Sequence, residues 1–254
     1  MQQRNQLSDF DRDGIVVLDH SETVLRWAKV AAQKAEQIAC DPDMRRQWLR
    51  HGDTWFVGVD ALPNAPDGSV DGVPLTGAWE GIVDAPSIWH PAQLSIVYPG
   101  YPLQDADESD AAHRFRLNRN AAHVDGLLPE GPDRRRYLRE PHAFILGLPL
   151  DECQASPLVV WPGSHHVMRA ALAEACHGHD ISKFDLTDVY QATRRHVFET
   201  IEPVDVRAVP GQAMLLHRHM LHGVRPWNGP GQERKVAYFR PQFSDVFRWL
   251  DTKG

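Results

Sequence analysis

From Thr54 onward the chain is a succession of short apolar runs cut by glycine and proline, and this punctuation limits its possible folds more than any other feature. WFVGV, LSIVY, HAFILGLPL, SPLVVWP and RKVAYFRPQF are rich in β-branched and aromatic residues, and turn signals such as APDGS and YPGYP separate such runs. HRFRLNRNAAHVD, HVFETIEPVDVRAV and AMLLHRHML also read as strand-like, with HHVMRAALAEAC as the one interrupting helix. Many short strands at regular intervals pair antiparallel, so the expected class is mainly β, a barrel or sandwich rather than a βαβ protein.

Helical signals gather in residues 1–52. Ser21 is placed to cap SETVLRWAKVAAQKAEQIAC, in which Val24, Trp27, Ala28, Ala31, Ala35 and Ile38 recur at helical spacing. A second, short helix begins with Pro42 in its first turn and stops before Gly52. DADESD, residues 105–110, reads as an exposed acidic loop tip. With no internal repeat and no linker, one domain over 1–254 is expected.

The formal net charge of -7 sets the chain's field against nucleic acid and anionic membrane surfaces. Neither a signal peptide nor a membrane helix is legible, so the expected location is the cytoplasm. Cys40, Cys153 and Cys176 are odd in number and far apart, and read as reduced packing residues.

Two His-x-Asp pairs could place an imidazole and a carboxylate on one ion. His51 and Asp53 flank Gly52 just after a helix end and read as a turn. His123 and Asp125 close a long alternating stretch in which Phe115, Leu117 and Ala121 share their face, beside Gly126. A ligand pair at a strand end lies where barrel mouths open. LLHRHMLHG then offers His217, His219 and His222. The dipeptide Asn228-Gly229 is a hairpin signal, and folding about it sets Arg234 opposite position 222 or 223, His217 near Phe239 and His219 near Ala237. His222 is therefore the histidine with an arginine partner, and a guanidinium beside a metal ligand is an anchor for a carboxylate. Two histidines and one carboxylate are the ligand set of non-heme Fe(II) oxygenases.

In this order, HVDG, VVWPGSHH and GQAMLLHRHMLHGVRPWNGPGQERKVAYFRP resemble the phytanoyl-CoA dioxygenase-like family of Fe(II)/2-oxoglutarate oxygenases, over roughly residues 90–242. The resemblance implies a double-stranded β-helix, the jelly-roll of the cupin type, with N-terminal helices packed on one sheet. It implies that His123, Asp125 and His222 hold Fe(II) and that Arg234 grips the distal carboxylate of 2-oxoglutarate. It also implies that O2 is consumed, succinate and CO2 are released, and a small-molecule substrate is hydroxylated. His142 falls where a second cosubstrate contact often stands, and a buried structural histidine is the equal alternative there. Val224 departs from the family, many members of which carry serine or threonine at that place. Asp125 speaks against the related halogenases, which lack the carboxylate.

His217 and His219 are expected to support the site or face outward. Ser164 reads as a helix cap rather than a nucleophile, since no GxSxG accompanies it. Arg134, Arg135, Arg136 and Arg139 form either a salt-bridged surface loop or a grip for a substrate carboxylate or phosphate. Two other functions stay open: a metal cupin dioxygenase that uses no 2-oxoglutarate, against which Arg234 speaks, and a non-enzymatic jelly-roll binding protein, which leaves His222 and Arg234 unexplained.

Overall fold

The computed structural model describes residues 2–251. In chain order the elements are α1 (Gln2–Asp13), β1 (Ile15–Leu18), α2 (Glu22–Cys40), α3 (Pro42–Trp48), β2 (Leu49–Arg50), β3 (Trp55–Leu62), β4 (Ala92–Val97) and α4 (Asp110–Arg119). Then follow β5 (Leu127–Glu130), β6 (Arg135–Leu138), β7 (Phe144–Pro149), β8 (Leu158–Val160), α5 (Ser164–Ala175), α6 (Thr187–Thr200), β9 (Val204–Val206), β10 (Ala213–His217), β11 (His222–Val224) and β12 (Arg234–Phe239). Every strand pair is antiparallel.

A large sheet runs β1-β10-β7-β12-β4-β3-β2, a small one runs β11-β8-β9, and β5 pairs with β6 alone. The two-residue period of each strand separates the faces of the large sheet. Leu146, Leu148, Leu215, Ala237 and Phe239 turn outward to Trp27, Ala28, Ala31 and Ala35 of α2. The alanine stripe lets that helix lie close on the sheet, and Trp27 anchors it by donating Nε1 to the Gly68 carbonyl at 2.9 Å. Ile145, Met214, Leu216 and Val236 turn inward to Leu158, Val160 and Val206 of the small sheet. Two antiparallel sheets closed on this inner core, with helices on the outer face, are the double-stranded β-helix expected from the sequence.

A third apolar cluster joins Met168 and Leu172 of α5, Tyr190 and Val197 of α6, and Trp161, Leu221 and Trp249. Arg218 closes its C-terminal side. This arginine is fully buried and donates to the carbonyls of Trp249 (2.9 Å), Ala143 (3.4 Å), Arg248 (3.5 Å) and Asp251 (2.8 Å). No helix among the described residues is long and apolar enough to cross a membrane. The three cysteines are free thiols.

Several local expectations fail for identifiable reasons. The stretch 110–119 is a helix, not a strand: the Ser109 hydroxyl accepts from Ala112 N at 3.3 Å, Asp110 sits in the first turn and Arg116 and Arg119 in the last. Capping and dipole complementarity outweigh an accidental alternation of apolar residues. DADESD is not a free acidic tip, because Asp105 accepts from the backbone of His51 and Gly52 at 2.8 Å each and the 9%-exposed Glu108 side chain pairs with Arg116 at 2.9 Å. HVFET ends α6, so the strand expected there begins only at Val204. Residues 1–52 are not wholly helical, since β1 forms one edge of the large sheet. Asn228-Gly229 does not turn a hairpin: β11 belongs to the small sheet and β12 to the large one, and the segment between them crosses from one to the other. His217 accordingly pairs with Phe144 rather than Phe239.

Arg218→Met should lower stability by about 3 kcal/mol, because four carbonyls lose a charged donor inside the fold. Denaturant unfolding measures the loss, and limited proteolysis should show residues 244–251 cut first.

Candidate metal centre and its two cavities

The chain reaches the site by a strained turn. After α4, Asn120 (φ 55) and Ala121 (φ 51) both take left-handed backbone, which costs non-glycine residues roughly 1–2 kcal/mol each. The turn delivers 122–125 alongside β11, where His123 N donates to His222 O at 2.8 Å and His222 N to His123 O at 3.0 Å. Gly223 makes this approach possible, since a Cβ there would collide with the Asn120 carbonyl. Ala122 and Val124 turn into the apolar cluster beneath, which leaves His123 and Asp125 on the opposite side. The two residues do share a face, but over this short segment rather than along the long strand expected from Phe115.

His123 Nδ1 lies 2.9 Å from the Ala121 carbonyl and His222 Nδ1 3.0 Å from the Met220 carbonyl. A carbonyl only accepts, so both Nδ1 atoms carry hydrogen, and the lone pair of each neutral ring is on Nε2. Those lone pairs face Asp125: His123 Nε2 is 3.1 Å from Oδ1 and His222 Nε2 is 3.8 Å from Oδ2. One ligand atom from each residue falls within 4.8 Å of the other two, the one such group among the described residues. Donors bonded to one ion at ~2.1 Å with right-angle geometry stand ~3 Å apart, so the spacing suits a shared cation. The chemistry calls for one as well, because a lone pair and a carboxylate facing each other repel unless a proton or metal lies between.

Burial works against the Asp125 charge, yet the contact with His123 and the nearby His222 and Arg240 outweigh it and hold the carboxyl well below the usual range. Burial pushes His222 down to about 4 against the pull of Asp125, so it is a neutral imidazole at pH 7. His123 is buried too, but its bond to Asp125 raises it.

The triad stands in a wall between two cavities. One opens into the barrel and is lined by Trp55, Gln93, Ser95, Tyr238 and the apolar Ile145, Leu158 and Leu216. The other lies beneath α4 and α6 and includes Arg116, Arg136, Arg194 and Glu140. His123, Asp125 and Arg240 line both. Arg234 is not itself in the lining of the barrel cavity. It lies on the inward face of β12 in register with Val97, two positions from Val236 and four from Tyr238. Its side chain is buried, and among the described residues its Nη1 has no hydrogen-bond partner. His142 also stands outside that cavity: its Nδ1 donates to the Arg240 carbonyl at 3.1 Å and its Nε2 lies 3.3 Å from Glu140. Tyr238 and Arg240 escaped sequence reasoning, although their signal was present: Arg234, Val236, Tyr238 and Arg240 alternate along one strand face.

Two solved enzymes have this architecture. The non-heme alpha-ketoglutarate-dependent carbocyclase SnoK from nogalamycin biosynthesis matches 94% of this chain and 83% of its own, with a TM-score of 0.52 and 13% sequence identity. The epimerase SnoN, in complex with Fe3+, alpha-ketoglutarate and nogalamycin RO, matches 94% and 84% with a TM-score of 0.52 and 16% identity. The chain shares their fold. No protein-family model matches its sequence, and no curated protein does.

The other histidines of LLHRHMLHG belong to a separate buried group. His217 Nδ1 accepts from His219 N at 3.1 Å, and the His217 ring lies 4.8 Å from that of His165. His219 packs edge-on against Trp249 at 4.3 Å, and neither of its ring nitrogens has a partner among the described residues. Ser164 is not the helix cap, a place taken by Gly163; its hydroxyl instead accepts from Leu221 N at 3.0 Å and so holds the approach to His222. Burial, then His166, push His165 down to about 4 despite the Asp11 carbonyl and Asp13; Arg169 adds to the depression. Burial, then Arg218, push His217 down to about 2. Such groups stay neutral in the folded state and take up protons on unfolding. Their contribution to stability is therefore intact above pH 6.5 and is lost as pH falls from there toward the folded-state values. His165 alone should remove about 3 kcal/mol by pH 4. Thermal melts from pH 7.5 to 4.5 should show this slope, shallower in His165→Asn; an unchanged slope would refute the assignment.

Proposed function

We propose that the chain is an Fe(II)- and 2-oxoglutarate-dependent oxygenase that hydroxylates a small molecule, in the manner of the phytanoyl-CoA dioxygenase-like family its motifs resemble. The observation that carries this reading is the pair of imidazole Nε2 lone pairs, fixed by backbone carbonyls on Nδ1, converging on one carboxylate. His123, Asp125 and His222 would hold the iron. Arg234 would hold the distal carboxylate of 2-oxoglutarate, the partner its buried Nη1 lacks among the described residues. Bound iron and 2-oxoglutarate together supply activation of O2, which oxidises the cosubstrate to succinate and CO2 and delivers one oxygen atom to substrate.

This chain's own groups position and shield. The carbonyls of Ala121 and Met220 fix the two ring tautomers, and Asp125 stays ionised, so the ligands meet a cation without reorganising. Tyr238 lines the barrel cavity with a buried hydroxyl that has no partner among the described residues, and it joins His142, which shares a neighbouring cavity with it, as a second contact for the cosubstrate. Ile145, Leu158 and Leu216 exclude water around it. Ring closure and epimerisation, the reactions of SnoK and SnoN, use the same cofactor set on the same fold; the hydroxylation reading rests on the motif resemblance.

Fe(II) and 2-oxoglutarate added without oxygen should give a metal-to-ligand charge-transfer band, absent in His222→Ala and Asp125→Ala. Arg234→Gln should need at least about tenfold more 2-oxoglutarate for the same band while binding iron as before, since the guanidinium meets only the cosubstrate. Wild type that binds iron but shows no band would be a metal dioxygenase of another kind, and wild type that binds no iron would be a binding protein.

A further inference from the structure

The cleft beneath α4 and α6 is cationic in a chain whose formal net charge is -7. Four arginines line it, and two of them are already engaged. Arg116 pairs with Glu108 at 2.9 Å, and Arg240 stands 3.6 Å from Asp125. Arg136 and Arg194 have no carboxylate within ion-pair distance among the described residues. Arg136 comes from β6 and donates Nη1 to the Leu127 carbonyl at 2.7 Å. Arg194 comes from α6; its guanidinium lies over Phe115 at 4.6 Å and Tyr190 at 5.2 Å, and its Nε is buried without a partner among the described residues.

The elements that carry the two arginines are tied together. Arg136 N donates to the Thr187 hydroxyl at 2.6 Å and Leu186 N to the Arg136 carbonyl at 2.9 Å, which ties β6 to the first turn of α6. Burial, with the repulsion of Arg134 and Arg194 added, lowers the Arg136 pKa. Two like charges kept together in a half-buried cleft are unfavourable until an anion enters, and planar guanidinium forks suit an oxyanion. Within the arginine run Arg135 bonds Asp185 and Arg139 bonds Glu130, which leaves Arg136 as the member that lines the cleft.

We propose that Arg136 and Arg194 form an anion subsite for the substrate, which is a small molecule bearing a carboxylate or phosphate that seats there while its reacting carbon faces His123 and Asp125 across the same cleft. The identification of the occupant as substrate rests on the oxygenase reading; the anion site itself does not.

Inorganic phosphate and, separately, acetate are titrated calorimetrically into wild type, Arg136→Gln, Arg194→Gln and, at an exposed arginine that lines neither cavity, Arg207→Gln. At least one anion should bind wild type, the tighter of the two naming the substrate's group. That affinity should weaken about tenfold or more in each of the first two variants and stay unchanged in Arg207→Gln. Arg136→Lys and Arg194→Lys keep the charge but not the fork. If the glutamine variants fail to fold, the lysine variants should still bind several-fold more weakly than wild type. Binding of neither anion by wild type, or equal binding in the substituted proteins, overturns the subsite. The charge-transfer band separates the two readings: the band without anion binding overturns the subsite alone, whereas anion binding lost at Arg136 and Arg194 without the band keeps the subsite and overturns the oxygenase.

Discussion

The reciprocal pair of backbone hydrogen bonds between His123 and His222 joins segments that are remote in sequence, and the site is arranged around that pair. It adds the 122–125 segment to the edge of the small sheet as a single bridge, so both imidazoles leave the backbone from directly opposed positions with ring centroids 4.6 Å apart. Three local features allow it. Left-handed backbone at Asn120 and Ala121 turns the chain out of α4, Gly223 leaves room for that turn, and the Ser164 hydroxyl holds Leu221 N one residue before His222. Strain in the turn is offset by what it closes, since Val224 N also donates to the Asn120 carbonyl at 3.0 Å.

From this bridge the division of the interior follows. On one side of 122–125, Ala122 and Val124 bury against the α5–α6 cluster; on the other, His123 and Asp125 meet β11 and the end of β12. The large sheet supplies apolar walls to the barrel cavity through its inward residues, while its outward residues are consumed by α2. A charged constellation can persist there because Asp125 is surrounded by His123, His222 and Arg240, which offset the desolvation that would otherwise protonate it. The cleft on the far side carries the opposite imbalance, with arginines in excess. Polarity thus changes across a wall one strand thick.

The fold class and the convergence of His123, Asp125 and His222 were legible in the sequence, for reasons of unequal quality. Short β-branched runs between Gly/Pro turns are a robust signature, and the strands at 144–149, 158–160 and 213–217 and the helices at 22–40 and 164–175 lie where periodicity places them. His222 was singled out by a hairpin register that does not exist, because a dipeptide turn signal says nothing about which sheet the next strand joins. The ordered motif resemblance points to the same histidine without that register. The helix at 110–119 was hidden because its apolar residues, Phe115 and Leu117, are two apart and mimic a strand. The role of Glu108 was hidden because an acidic run looks solvated unless its partners, Arg116 and His113 on the same helix, are known to be near.

His142 lies outside the barrel cavity and shares a neighbouring one with Tyr238 and Arg240. Its ring donates to the carbonyl of Arg240, and an isolated bridge to Gln242 holds its backbone, so it fixes the chain just beyond β12. Arg240 is the residue so fixed, and its guanidinium lies 3.6 Å from Asp125 while lining both cavities. Any ligand entering either cavity meets the same guanidinium, and a change in its position alters the field on the Asp125 carboxylate. Outside the triad, Arg240 is the charged side chain that both cavities share, so a charge entering either one acts on Asp125 beside that guanidinium.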